Sequence, residues 1–366
     1  MATHFHTLTV KRVTPDAAGS AAITLAVPVD LRRAFDFSPG QFLTLRASID
    51  GQDARRSYSI CSPHQRYQEA GELDVGIKPV EGGAFSRWAV ASLVPGSQIE
   101  VMPPDGRFTA RVPGARHRVG FAAGSGITPL LSIIASTLAA ESQASFTLVY
   151  GNQRANTIMF NEALADLKDR YPARLTLIHL LSRQPQEVAL LQGRLDEAKV
   201  AELLHTLLPA SRIDEAFVCG PEGMIDATVR ALQAAGVAAG RIHSERFFAA
   251  GSAIATKYIA NYARPASTAG QNDSEIRLDV VLDGKTHHLA MDAGQRVLDV
   301  ALEAGLDLPY SCRGGVCCTC RARVLQGRVE MEKNFTLERW EIDKGFVLTC
   351  QARPLDGHLV VSYDDR

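Results

Sequence analysis

Four cysteines carry the densest chemistry in this sequence. Cys312, Cys317 and Cys320 sit in Cys312-Arg-Gly-Gly-Val-Cys317-Cys318-Thr-Cys320, and Cys350 follows downstream. A C-x4-C-x2-C…C spacing supplies four thiolates to a [2Fe–2S] cluster. Gly314 and Gly315 suit it, because the backbone must wrap the cluster closely and aim amides at the sulfurs. Structural zinc is the competing reading, yet zinc sites present paired short knuckles such as C-x2-C twice. A disulfide framework belongs to short secreted chains, not to one cysteine-dense patch in a long one. The expected metal ligands are therefore Cys312, Cys317, Cys320 and Cys350.

A second group of motifs lies upstream. Arg56-Ser57-Tyr58-Ser59 offers a fixed cation and a planar aromatic, partners for a phosphate and a flat ring. The same tetrapeptide also reads as an amphipathic strand with outward arginines. Gly82-Gly83-Ala84-Phe85-Ser86 is a glycine turn opening a helix, where backbone N–H groups gather. Gly124-Ser125-Gly126-Ile127-Thr128-Pro129 follows an apolar strand. It lacks the third glycine of the dinucleotide fingerprint and is weak alone, though Pro129 fits a first helical turn. Cys219-Gly220-Pro221-Glu222-Gly223-Met224 ends a later strand. His243-Ser244-Glu245-Arg246-Phe247 sets an acid beside an aromatic, and Leu181-Ser182-Arg183 ends another strand with a cation.

Three kinds of element must position these residues. Short strands at Phe5–Val13, Ala21–Ala26, Gln41–Ile49, Arg56–Cys61, Glu72–Lys78 and Gln98–Met102 are separated by Pro39-Gly40, Asp50-Gly51 and Pro95-Gly96. That spacing predicts an antiparallel β-barrel or sandwich over residues 1–113, interrupted by a helix at Gly83–Ala91. Residues 114–248 alternate buried strands (Arg118–Ala122, Phe146–Tyr150, Leu175–Leu181, Glu215–Cys219) with helices (Pro129–Ala140, Asn161–Tyr171, Leu195–Leu208). This pattern predicts an α/β domain with a parallel sheet. Residues 249–273, rich in small and polar types, read as a linker with local order around Tyr258–Tyr262. Residues 274–366 open with a hairpin through Asp283-Gly284, then a helix at Val297–Ala304, the cysteine loop and closing strands.

With these motifs in order, the chain resembles the ferredoxin–NADP reductase superfamily followed by a plant-type ferredoxin of β-grasp fold. The resemblance implies that Arg56 binds flavin phosphate, Tyr58 stacks on the isoalloxazine, and Ser59 hydrogen-bonds near its N5, with Ser57 between them. It implies that Gly82, Gly83, Ala84, Phe85 and Ser86 meet the pyrophosphate of FAD. Gly124, Gly126, Thr128 and Pro129, with Cys219, Gly220, Pro221, Gly223 and Met224, would form the nicotinamide pocket. Ser59, Cys219, Glu245 and Phe247 would surround the hydride path from nicotinamide to flavin, and single electrons would leave through the cluster. Ser182 and Arg183, helped by Arg154, would take the 2′-phosphate of NADPH, a group that rewards a guanidinium; NADH is the alternative donor.

Arg55–Cys61, Gly82–Trp88 and Asp307–Cys312 look like segments of the reductase subunits of bacterial ring-1,2-phenylacetyl-CoA epoxidases. In that family the electron acceptor is a multisubunit di-iron oxygenase. Reductases of steroid hydroxylases and Rieske-type oxygenases share the architecture. A redox-sensing or carrier module without sustained turnover is the reading from another class. Cys318 departs from the small Ala or Ser usual at its loop position.

The bulk numbers agree with a multidomain globular chain. Its 366 residues suggest two or three domains at about 150 residues each, and 46% hydrophobic content with 22% charged is ordinary. A formal net charge of −1 gives no cause to expect nucleic acid or a membrane surface as partner. The N-terminus does not read as a signal peptide, and no run reaches the ~18 apolar residues of a membrane span. A reducing compartment, the cytoplasm, is expected.

Overall fold

The computed structural model describes residues 4–247, 258–261 and 275–365. They fall into two compact units, Phe5–Phe247 and the described residues from 258 onward. In the first unit, six strands form an antiparallel sheet. Their order is Gln52–Ser59, Phe42–Ile49, Gln98–Val101, His6–Pro15, Ala21–Ala26 and Glu72–Ile77. Beyond the end of Gln52–Ser59, Ile60 bridges to Val75 of the opposite edge strand, curling the sheet toward a barrel. Alternation fills its interior: Leu8 and Val10, Ile23 and Leu25, and Leu43 and Leu45 are fully buried.

A parallel sheet follows, ordered Ile242–Arg246, Glu215–Gly220, His117–Ala123, Ser145–Asn152 and Leu175–Leu181. Its central strands are covered on both faces and therefore read as nearly continuous apolar runs. Helix Ile127–Ala140 is buried from Ile127 through Leu138, because it lies between this sheet and the barrel. Its two serines serve that junction. The Ser132 hydroxyl donates to Ser62 O at 2.7 Å, and Ser136 Oγ accepts from the His64 N–H at 3.0 Å.

Glu215 ties the remaining pieces together. Its side chain has no exposed surface. It accepts from the backbone N–H groups of Arg111 (2.6 Å) and Val112 (3.2 Å), from Arg118 Nε (3.0 Å), and pairs with His243 Nε2 (2.8 Å). Residues 111 and 112 connect the barrel to the first parallel strand, so one carboxylate fixes the crossing between the two lobes. Burial pushes this carboxyl up. The donors His243, Arg111 and Arg118 outweigh burial and hold it below its ordinary value.

In the C-terminal unit five strands make a mixed sheet, ordered Lys285–Asp292, Glu275–Leu282, His358–Ser362, Arg321–Gln326 and Phe346–Leu348. Glu275–Leu282 and His358–Ser362 run parallel and the other pairs antiparallel. Helix Val297–Glu303 buries Val297, Leu298, Val300 and Ala301 in its core. The predicted hairpin is present, and both N–H groups of its Asp283-Gly284 turn donate to the Asp364 carboxylate. Of residues 249–273, Tyr258–Asn261 pair antiparallel with Arg328–Met331; the rest of that stretch lies outside the described residues.

Four helices and strands were not expected from the sequence: helices His64–Ala70, Glu222–Ala234 and Arg339–Asp343, and strand Ile242–Arg246. The second helix opens immediately after a turn motif, and its buried Met224, Ile225, Thr228, Ala231 and Leu232 do follow a helical period that the sequence reading passed over. The strand carries His243, Glu245 and Arg246 and acquires its form from parallel pairing with Glu215–Gly220. Among the described residues, no helix is long and apolar enough to cross a membrane.

Candidate functional site

Strand Gln52–Ser59 pairs with Phe42–Ile49 so that Tyr58 faces Leu43 and Ser59 faces Phe42. Arg56 is exposed, and Ser57 Oγ lies 3.1 Å from Thr44 Oγ1. The Tyr58 ring packs 5.8 Å from that of Phe85, and burial pushes its phenol well above the ordinary value. Phe85 belongs to helix Ala84–Ser92, which opens directly after Gly82-Gly83. Ser86 is turned inward. It is 6% exposed and its Oγ accepts from the Val80 N–H at 3.2 Å. Its oxygen thus closes the turn. What the helix start offers outward is the N–H groups of its first turn, which have no partner within the helix.

In the parallel sheet, His117–Ala123 is flanked by Ser145–Asn152 on one side and Glu215–Gly220 on the other, so the strand order reverses there. The crevice at the carboxyl ends of such strands is where open α/β sheets bind ligands. Both predicted turns lie at that crevice and touch. A Cβ on Gly126 would lie 2.1 Å from Cys219 O and 2.9 Å from Gly220 N, so only glycine lets the two backbones approach. Thr128 Oγ1 donates to Ser125 O at 3.0 Å, and Pro129 is buried in the first helical turn. The Tyr150 hydroxyl donates to Gly124 O at 2.8 Å and steadies the turn. Pro221 caps helix Glu222–Ala234, whose first residues include Gly223 and the buried Met224.

Barrel and sheet meet in this crevice through a side-chain pair. The Ser59 hydroxyl donates to Glu245 Oε2 at 3.2 Å, across 186 residues of sequence. Glu245 lies beside Cys219 in the parallel register. Glu245 is half-buried in the crevice, and desolvation there pushes its carboxyl up to about 8, against the pull of the Ser59 bond. Burial, and then the Glu245 charge, raise the Cys219 thiol well above its ordinary value. Phe247 ends the unit 39% exposed.

One residue of this crevice escaped the sequence reading. Lys78 follows strand Glu72–Ile77, and its Nζ lies 3.9 Å from where a Cβ of Gly124 would stand. It carries no ion pair among the described residues. It therefore brings a half-buried cation to the mouth of the dinucleotide turn. The only signal in the sequence was a lysine at a strand end before a glycine turn.

At the far edge, the Ser182 and Arg183 N–H groups donate to Asn152 O and Gln153 O, both at 2.9 Å. Gln184 Oε1 accepts from the Ala155 N–H at 3.0 Å. The two strand-end loops are thereby stitched, with Arg154 and Arg183 exposed and without ion pairs among the described residues.

In the C-terminal unit the cysteine side chains pair. The Cys312 thiol titrates together with that of Cys317, and the Cys320 thiol with that of Cys350, as close neighbours do. No three metal-ligating side chains converge as for a single ion, among the described residues. Two pairs are what a two-iron cluster with four thiolates requires. The Gly314 N–H donates to Cys312 Sγ at 3.3 Å, and those of Val316 and Cys317 point the same way. Arg313, Gly315 and Cys318 hold φ of 51°, 79° and 61°. At Gly315 a Cβ would also meet Lys333 O at 2.9 Å. The buried Thr319 hydroxyl, left without a regular partner, sits against Cys317. The loop fits a [2Fe–2S] cluster.

Comparison with known proteins agrees with this geometry. Residues 11–110 match an oxidoreductase FAD-binding domain, 121–230 an oxidoreductase NAD-binding domain, and 280–355 a 2Fe-2S iron-sulfur cluster binding domain. A subunit of the 1,2-phenylacetyl-CoA epoxidase of Escherichia coli (strain K12) is 44% identical, across 99% of this chain and 98% of that one. The chain belongs to the ferredoxin–NADP reductase superfamily, in the branch with a C-terminal [2Fe–2S] ferredoxin. This reductase is also 34% identical to the ferredoxin reductase component of a Rhodococcus rhodochrous 3-ketosteroid-9-alpha-monooxygenase, over 97% of this chain and 96% of the relative. Phthalate dioxygenase reductase shares its fold, with a TM-score of 0.60 at 21% identity over 98% of both chains.

Two expectations follow. Replacing Cys312, Cys317, Cys320 or Cys350 by Ser removes or badly distorts the cluster, while Cys318→Ser leaves iron, acid-labile sulfide and visible spectrum near wild type. A cluster lost with Cys318→Ser would reverse the ligand assignment.

Because the Glu245 carboxyl is raised from 4.5 to about 8, the folded protein holds a proton there that the unfolded chain releases. Stability is then full below about 4.5 and declines as pH rises through about 8. Thermal melts across that window should show this decline in wild type and a smaller one in Glu245→Gln. Parallel profiles would mean that Glu245 stays ionised.

Proposed function

We propose that this reductase takes electrons from NADPH and passes them to a multisubunit di-iron oxygenase, the one that epoxidises the ring of phenylacetyl-CoA. The observation that carries this reading is the end-to-end likeness, at 44% identity, to a protein named as one component of a 1,2-phenylacetyl-CoA epoxidase. The likeness to a 3-ketosteroid-9-alpha-monooxygenase reductase supports a second reading, a steroid hydroxylase as acceptor. A sensing module would need no complete nicotinamide crevice. We infer domains of 1–113 for flavin, 114–248 for nicotinamide and 274–366 for the cluster, joined by 249–273, in a cytoplasmic protein.

Bound flavin supplies the exchange between hydride and single-electron chemistry, and the cluster supplies one-electron carriage. In our reading Arg56, and the N–H groups of Gly82, Ala84, Phe85 and Ser86, hold the phosphates of FAD while Tyr58 and Phe247 cover its ring. Ser59 orients Glu245, and burial keeps that carboxyl protonated near neutral pH, so that it donates a hydrogen bond toward the nicotinamide without adding a charge. Cys219 and the Gly124–Pro129 turn shape the pocket and exclude water, and Lys78 neutralises phosphate at its mouth. Ser182, Arg183 and Arg154 read the 2′-phosphate. Cys312, Cys317, Cys320 and Cys350 hold the iron.

Purified reductase mixed with the oxygenase components, NADPH and phenylacetyl-CoA is expected to give epoxide in proportion to NADPH consumed. Coupling to a steroid or Rieske-type oxygenase alone would replace the assignment.

For the donor, Arg154→Ala with Arg183→Ala should cost about 10–100-fold in kcat/KM for NADPH, as expected for hydrogen bonds to a charged group of about 1.5–3 kcal/mol, and leave NADH unchanged. Equal losses with both nucleotides would exclude 2′-phosphate recognition by this pair.

A further inference from the structure

Gln351 immediately follows the fourth cysteine and is 2% exposed. A long amide side chain is rarely buried so deeply unless its polar atoms have work to do. Its Nε2 lies 2.8 Å from Cys350 O, 3.0 Å from Arg313 O and 3.6 Å from Cys350 Sγ. The two carbonyls can only accept, so they fix the amide with nitrogen, not oxygen, toward the sulfur; with two hydrogens for three acceptors, one N–H is shared between a carbonyl and Cys350 Sγ as the longer arm of a three-centre bond. Oε1 is buried without a partner. The side chain also packs against the cysteine loop, with its Cγ 3.4 Å from where a Gly315 Cβ would stand. One amide thus links the segment of Cys350 to the loop of the other three ligands.

We infer that Gln351 is a positioning residue that sets the reduction potential of the cluster, by holding an N–H dipole against the Cys350 sulfur. Reduction of the cluster adds one electron, delivered by the flavin, and one negative charge to the iron, sulfide and thiolates. A donor aimed at a thiolate stabilises that electron-rich state more than the oxidised one, and hydrogen bonds to the sulfurs are among the terms that set such potentials. In a buried site the dipole is little screened. Removing it should therefore make the cluster harder to reduce. This inference does not depend on which oxygenase receives the electrons.

The test is a redox titration of the purified, cluster-loaded full-length protein against mediator dyes, followed by the electron resonance of the reduced cluster. In Gln351→Leu the electron should shift about tenfold toward the dye, equivalent to about 59 mV more negative for a one-electron couple. Gln351→Met, which keeps the length of the side chain and removes the donor, should shift the same way. A Gln351→Leu cluster at the wild-type potential would overturn the inference, since a purely packing role changes cluster yield and leaves the potential unmoved. If the variants fail to hold a cluster, the unaltered protein decides. With its glutamine side-chain amides labelled with ¹⁵N, the reduced cluster should show a ¹⁵N coupling, and its absence would equally reject the idea.

Discussion

A carboxylate with no access to solvent sets the frame of the first unit. Glu215 would be costly to bury alone, because an ion in a poorly polarisable interior loses its hydration. It is tolerated because two backbone N–H groups, a guanidinium and an imidazole surround it. Those four donors come from the interlobe connection, the first parallel strand and the strand of Glu245. Removing the charge would leave Arg118, itself 2% exposed, short of one of its two carboxylate partners. The crevice between barrel and sheet inherits its geometry from this node, since His243 lies two residues before Glu245 on the same strand.

The same economy of contact recurs where backbone meets backbone. Gly126 lets the dinucleotide turn lie directly on the Cys219–Gly220 peptide, and the hydroxyl of Tyr150 holds that turn from below. The consequence is a crevice built from main chain, whose position is fixed by the sheet rather than by mobile side chains. Side chains are added only where charge or proton placement matters: Glu245 beside Ser59, Lys78 near Gly124, and the arginine pair at the far edge.

The cysteine loop solves a different problem. Four thiolates repel one another and must be gathered before a cluster can be held. Left-handed backbone at Arg313, Gly315 and Cys318 folds the loop so that successive amides face Cys312, lowering the cost of concentrated negative charge. Thr349, which donates to Cys320 O and accepts from Tyr363, locks the two cysteine segments together.

Much of this protein was legible in the sequence because the signals were local. Three of the four cysteines proposed as cluster ligands lie within one loop, the glycine turns announce themselves by residue type, and strand–helix alternation follows from period alone. The barrel strands and parallel strands lie close to their expected positions. What needed the tertiary structure was every relation between distant residues. Ser59 and Glu245 are far apart in sequence, and no spacing rule links them. The inward turn of Ser86 depends on the path of Val80, the reach of Lys78 on the lobe crossing, and the aim of Gln351 on two carbonyls from separate segments. Sequence determines which groups are available and which local shapes they favour. Burial and long-range register decide which of them meet, because those follow from the packing of whole lobes and are not encoded at any single position.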